Sequence, residues 1–220
     1  MFFHGTTIES GEAILKSNFM KPSIGDEQWL GNGYYFFKDD LYAFRWIVIK
    51  YTRNFKSKNW KKIDDIYKEY MILSADIDLN RVFSLDNLKN KMLFLSLKNE
   101  LKRKLQDSVR YKNNEIVDGL VINIMFNEMG YADKYDAVEA TYPIAYVYDT
   151  DSRQDYIPEY QLCVKNLLTI SNIQKYNGIE VTQEYINFIK EYNLIKQQCL
   201  EMRKKKLRYR ERKFKYTYNK

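Results

Sequence analysis

Residues 2–15 read FFHGTTIESGEAIL, and within them stands His4, the only histidine of the 220-residue chain. Residues 1–4, with two phenylalanines and the imidazole, describe a short strand that runs into a turn at Gly5. The residues from Thr6 onward place Ile8, Ala13, Ile14 and Leu15 at spacings that suit a helix. Taken alone, His4 fits a solvated strand end. The sequence identifies no serine or cysteine partner for it, and one histidine cannot build a zinc site.

The rest of the chain sets bounds on what His4 can serve. Apolar residues make up 45% and charged residues 30%, a mix that buries a core, and 220 residues suit one domain with an appendage. The 20 tyrosines read first as compositional bias. Cys163 and Cys199 lie far apart, without metal-type spacing or a disulfide framework, which points to a reduced, cytoplasmic protein without a metal. No apolar run reaches the ~18 residues of a membrane span. The start MFFHGTTIESG lacks the regions of a signal peptide. The net charge of +7 is gathered at one end, where residues 203–220 (RKKKLRYRERKFKYTYNK) hold ten basic residues and one acid, leaving the body at −2.

Periodicity then predicts an α+β body. A polar loop with Pro22 and Gly25 leads to GNGYYFFKDD (31–40), a glycine turn and an aromatic strand in which Asn-Gly signals a hairpin. Asp39 or Asp40 caps a helix over 41–52 with Leu41, Phe44, Ile47 and Val48 on one face. A single strand is expected over 69–85, and Ser84 precedes a helix from Leu85 to Gln106. Another helix over 115–130 ends at Gly130. Short strands follow at 136–144 and 145–150, then a polar loop over 149–158 and a buried strand over 159–170. From Thr182 to Lys215 one long helix is expected, with Tyr185, Ile189, Tyr192 and Ile195 along a face.

Three blocks carry the chemistry. FFHGTT at 2–7, GNGYYFF at 31–37 and PEYQLCV at 158–164 each admit a structural reading alone, as a strand end, a turn and a capped strand. Together they resemble the three-motif pattern of ADP-ribosyltransferases. The likeness is to the branch named for a His-Tyr-Glu triad, which includes poly(ADP-ribose) polymerases and diphtheria-like toxins. It covers residues 2–170 and is specific in these blocks. The Arg-Ser-Glu branch is not matched, since no first strand ends in arginine.

The resemblance implies a split β-sheet core with flanking helices, here followed by a basic C-terminal helix. It places the catalytic domain at 1–175 and a helical, basic extension at 176–220. It implies NAD as substrate and no metal. The His4-Gly5-Thr6 block would hold NAD, with His4 on a ribose hydroxyl and the Gly5 backbone on the nicotinamide carboxamide. Tyr35 would stack on the nicotinamide ring, and Trp46 falls where the family has its second stacking aromatic. Glu159 would bind the ribose 2′-hydroxyl and stabilise the positive charge that develops as nicotinamide leaves. Gln161 shares the strand face of Glu159 by period-two alternation and is the alternative for the third motif. Ala43 stands where animal polymerases of the family have a serine that contacts the amide.

An oxocarbenium-like transition state needs an anion beside it, and a buried carboxylate supplies one without reorganisation. In the family the segment before the catalytic strand selects the acceptor, which here holds Arg153, Gln154, Asp155 and Tyr156. The implied activity is transfer of one ADP-ribose unit to a protein or nucleic acid, of the toxin or phage-conflict type, with an antitoxin as a partner. The basic residues and Tyr209, Phe214, Tyr216 and Tyr218 of the tail suit contact with nucleic acid or the ribosome as well as a solvated helix end; a membrane role is disfavoured. Two alternatives stay open: a non-catalytic module that binds nucleic acid through the tail, and an NAD glycohydrolase.

Overall fold

A computed structural model describes residues 1–25, 28–54, 63–106, 116–146 and 156–177. It is a mixed α+β structure whose described residues form five α-helices, the third of them α3 (Ile63–Glu69), and seven strands, β1 (Phe2–Thr7), β2 (Tyr34–Phe37), β3 (Tyr70–Ile77), β4 (Val82–Ser84), β5 (Ala137–Tyr146), β6 (Tyr156–Val164) and β7 (Ile170–Lys175). The strands make one sheet in the order β4-β5-β6-β2-β1-β3-β7. The strand containing His4, β1 (Phe2–Thr7), runs between β2 (Tyr34–Phe37) and β3 (Tyr70–Ile77). It pairs with β3 along its whole length, from Phe2↔Ala75 to Thr7↔Tyr70, both strands antiparallel. With β2 it shares the single rung Phe3↔Phe37. β2 in turn pairs antiparallel with β6 (Tyr156–Val164), from Tyr34↔Val164 to Phe37↔Gln161.

Alternation along these strands divides the core into two faces. Phe2, Met71, Leu73, Ala75, Phe36, Leu162 and Val164 are buried on one side together with Ile14 of α1 (Ile8–Ser17). Helix α2 (Asp40–Asn54) lies on the other side and buries Ala43, Phe44, Ile47 and Val48, three of them from the expected stripe, while Leu41 remains half-buried.

Strand β1 continues two residues beyond Gly5 because its rungs with β3 run on to Thr7. Thr7 then caps α1: its hydroxyl oxygen accepts the Ser10 N–H at 3.2 Å. Asn18 ends the helix in the left-handed region (φ 55) and donates its N–H to the Ile14 carbonyl at 2.7 Å. Thr7→Ala is expected to cost about 1 kcal/mol, read from a urea unfolding midpoint, because one helix-terminal donor loses its acceptor.

Several expected elements are corrected. The single strand over 69–85 is two strands, β3 and β4 (Val82–Ser84), parted by a turn in which Asp78 accepts the Asn80 N–H and Arg81 donates to the carbonyls of Asp133 and Lys134. Ser84 belongs to β4, and Asn87 caps α4 (Leu88–Gln106) by accepting the Lys89 and Asn90 N–H groups. Helix α5 spans Asp118–Glu128, with Gly130 just past it at φ 71. The first of the two short strands and the start of the second form β5 (Ala137–Tyr146), parallel to β4, while residues 147–150 lie outside the described residues. The strand expected over 159–170 starts earlier and ends at Val164, and a separate edge strand, β7 (Ile170–Lys175), pairs with β3. The expected helix over 182–215 and the basic tail lie outside the described residues.

The chain divides into two compact units, Met1–Thr141 with Tyr160–Glu180, and Tyr142–Glu159 with Val181–Lys220. Described residues of the second are the end of β5 and the start of β6, including Glu159. Among the described residues no helix is long and apolar enough to cross a membrane, and no cluster of three metal-ligating side chains occurs.

Candidate active site

The single rung between β1 and β2 makes a fork in the sheet. Beyond Phe3↔Phe37 the ladder is not continued, although each strand stays fully paired with its other neighbour. His4 stands at this opening and its Nδ1 lies 2.8 Å from the carbonyl oxygen of Tyr35 on β2. A carbonyl only accepts, so Nδ1 carries the proton, and the neutral ring keeps Nε2 as an acceptor. A side chain thus takes the place of a ladder bond where the strands part.

The His4 ring is half-buried and lies 5.6 Å from the Phe36 ring. Burial pushes its pKa below 6.5, against the opposing pull of the Tyr35 carbonyl. The fold therefore favours neutral His4. Its contribution to stability is complete above the unfolded pKa and is lost as pH falls through the lower, folded value. Between about pH 7.5 and about pH 5, urea melts are expected to show a larger loss for the wild type than for His4→Asn, which keeps a donor near Nδ1 but cannot titrate. An equal loss in the two proteins would contradict this.

On the opposite strand face lie Gly5, Tyr35 and Gln161. Helix α2 approaches Gly5 so closely that a Cβ there would lie 2.6 Å from Ile47 Cγ2, 2.9 Å from the Ala43 carbonyl oxygen and 3.2 Å from Trp46 Cε3. Trp46 is half-buried beside this glycine, with the Lys50 ammonium 5.1 Å from its ring centroid. Thr6 points to the other face, buried with its partner Met71 towards α1. The structure thus brings Trp46 to Gly5 and directs the Thr6 side chain away from them.

Tyr35 is half-buried and its hydroxyl is anchored in the turn that precedes β2. The hydroxyl donates to the Gly31 carbonyl at 2.7 Å and accepts the Leu30 N–H at 2.9 Å. Gly31 has φ 73, in the region that favours glycine, and a Cβ on it would strike Asn123 of α5. The Asn-Gly signal does not produce a short hairpin here. Gly33 instead bridges to Ser23 with hydrogen bonds of 2.8 and 3.0 Å, and Asn32 donates its N–H to Asn123 Oδ1 at 2.7 Å. Helix α5 presses on the same loop at Gly119, where a Cβ would run into the Gln28 carbonyl oxygen.

Lys165, just past β6, completes the turn: its ammonium donates to the carbonyls of Leu30 and Asn32 at 2.6 Å each and to Cys163 Sγ at 3.2 Å. Burial lowers the Lys165 pKa, with Cys163 opposing, and burial raises the Cys163 thiol, which Lys165 and Tyr35 oppose. Neither Lys165 nor Asn123 nor Gly119 is marked by a motif. For Lys165 the available signal is its spacing of two from Cys163, which puts both on one side of the strand.

In the third block, Gln161 is 9% exposed and pairs with Phe37, the residue that closes the fork with Phe3. Glu159, two residues earlier on β6, is 2% exposed and belongs to the second unit. Tyr160 between them is on the α1 face, where its hydroxyl donates to the Glu139 carboxylate; burial and that carboxylate both raise its pKa. Arg153, Gln154 and Asp155 lie outside the described residues. Tyr156 is not part of a loop but the first residue of β6.

No family model matches the chain, and no solved structure does. It is similar to a protein of the archaeon Methanocaldococcus jannaschii named uncharacterized protein MJ0359, 29% identical over 211 residues, which cover 86% of this chain and 93% of that one.

Proposed function

We propose that the protein is a mono-ADP-ribosyltransferase that moves ADP-ribose from NAD to a macromolecular acceptor, protein or nucleic acid. The observation that carries this reading is the fork between β1 and β2, held by His4 on the Tyr35 carbonyl with Gly5 beside it. Edge backbone groups freed where a ladder stops can bind a planar amide, and Gly5 offers its backbone there without a side chain. In this reading Gly5 takes the nicotinamide carboxamide, while the rings of Tyr35 and Trp46 take its faces. Neutral His4 accepts a ribose hydroxyl at Nε2.

The reaction breaks the bond between ribose C1′ and the nicotinamide nitrogen, whose electron pair leaves with nicotinamide. Positive charge then spreads over C1′ and the ring oxygen, and the resemblance of the third block makes Glu159 the carboxylate that stabilises it. An acceptor nucleophile forms the new bond at C1′ and gives up its proton. Gln161 orients the ribose from the same strand.

The test is incubation of purified protein with NAD labelled in the adenylate moiety, with and without cell lysate, for wild type, Glu159→Ala and Gln161→Ala. Label in macromolecules that protease or nuclease removes supports transfer and names the acceptor class. Nicotinamide release without transfer supports a glycohydrolase. If the wild type does neither, the enzyme reading fails. The ten basic residues in 203–220 favour a second reading, a binding module for nucleic acid. Deleting 203–220 should then abolish salt-sensitive RNA or DNA retention, and unchanged retention would dismiss the tail.

A further inference from the structure

The turn before β2 has an unusual source of donors. Leu30, Gly31 and Asn32 present three consecutive carbonyl groups, and side chains serve all of them. Leu30 and Asn32 receive the Lys165 ammonium, at 2.6 Å each, Gly31 receives the Tyr35 hydroxyl at 2.7 Å, and the Cys163 thiol lies at the longer distances of 3.6 and 3.7 Å from the Gly31 and Asn32 carbonyls. Lys165 is held in place by Cys163 Sγ at 3.2 Å and by the Phe126 ring, whose centroid is 5.4 Å away. The Tyr35 hydroxyl, on Leu30 and Gly31, and the Lys165 ammonium, on Leu30 and Asn32, therefore grip one three-residue turn between them.

We propose that Lys165 is a positioning residue for Tyr35, acting through the Leu30–Gly31–Asn32 turn. A partly buried carbonyl that loses its donor rotates toward water. With Lys165 removed, the Leu30 carbonyl loses its donor and the Asn32 carbonyl keeps only the Cys163 Sγ at 3.7 Å, so the Gly31 carbonyl between them is held less firmly in direction. The Tyr35 hydroxyl follows that carbonyl and the ring swings with it. A ring displaced by about 1 Å holds a stacked partner poorly. The NAD part of this inference rests on the function proposed above; the coupling of Lys165 to Tyr35 does not.

The test uses the full chain and reads amide exchange by NMR, because the Leu30 N–H donates to the Tyr35 hydroxyl and so reports its position. In Lys165→Met the Leu30 amide is expected to exchange about tenfold faster, while the buried β3 amides of Ile72 and Leu73 keep their protection. Lys165→Arg should restore most of the Leu30 protection, and Lys165→Gln substitutes if the Met variant does not fold. Tyr35→Phe should speed Leu30 exchange by itself, and adding Lys165→Met to it should change the rate less than about twofold.

With NAD, Lys165→Met should raise KM about tenfold and leave kcat within about threefold. Unchanged Leu30 exchange, equal acceleration of every amide, or effects of the two substitutions that multiply would each overturn the proposal. A wild type that leaves NAD intact would overturn the NAD reading alone, since the exchange pattern still decides whether Lys165 holds Tyr35.

Discussion

Glu159→Gln is expected to lower kcat for NAD cleavage by about 10²–10³-fold while leaving KM within about threefold. The substitution keeps the shape of a side chain that is 2% exposed and removes only its charge. In the proposed reaction charge matters because the positive charge sits on the nicotinamide ring in the ground state and moves onto the ribose in the transition state. A neutral amide binds the one nearly as well as a carboxylate and stabilises the other far less. Gln161→Ala is expected to cost about tenfold, mostly in KM, because an amide can orient a hydroxyl but cannot oppose a cation. Stopped-time assays of nicotinamide release separate the two. Should the Gln161 variant lose kcat while Glu159→Gln retains it, the third-motif role passes to the residue paired with Phe37 at the fork.

Gly119→Ala is expected to destabilise the protein by about 2–3 kcal/mol, opposite in sign to what helix propensity dictates. Within an exposed helix, glycine to alanine adds about 1 kcal/mol of stability. Gly119, in the first turn of α5, instead meets the Gln28 carbonyl and the Gly31 N–H across a gap that a methyl group would fill. Either α5 or the backbone of the turn must shift, and backbone is not a flexible neighbour. The displaced turn also carries the Tyr35 anchor, so on the proposed function NAD binding should weaken with stability. A calorimetric or urea midpoint that rises would show that the turn yields freely.

How much of this was legible depends on where each residue finds its partners. FFH and YMILSADI read as strands from their apolar content, although Gly5, Thr6 and Thr7, expected in a turn and a helix, belong to β1, and α2 read as a helix from Phe44, Ile47 and Val48. β7 did not, because an edge strand of sequence ISNIQK buries little and carries no apolar pattern. The division of β3 from β4 hides in a turn built from Asp78 and Arg81, whose partners include residues about fifty positions away. At the site, His4, Gly5 and Tyr35 stand in short recognisable blocks. Lys165, Asn123 and Gly119 act on the GNG turn from far along the chain, and no local spacing announces them. The Asn-Gly signal misled for the same reason: contacts with α5 outweighed the local preference for a tight hairpin.

The central place of β1 has a consequence for the order in which the molecule assembles. Its nearest full ladder, Thr7↔Tyr70 to Phe2↔Ala75, joins segments more than sixty residues apart, and the β2–β6 ladder joins segments more than a hundred apart. Closing loops of that length costs entropy before any rung repays it, so the rate is governed by topology more than by local propensity. Both strands that flank β1 are made after it. Until β6 has been synthesised, the growing chain carries the open edge of β2, which makes that interval the one in which a chaperone or a wrong strand would compete.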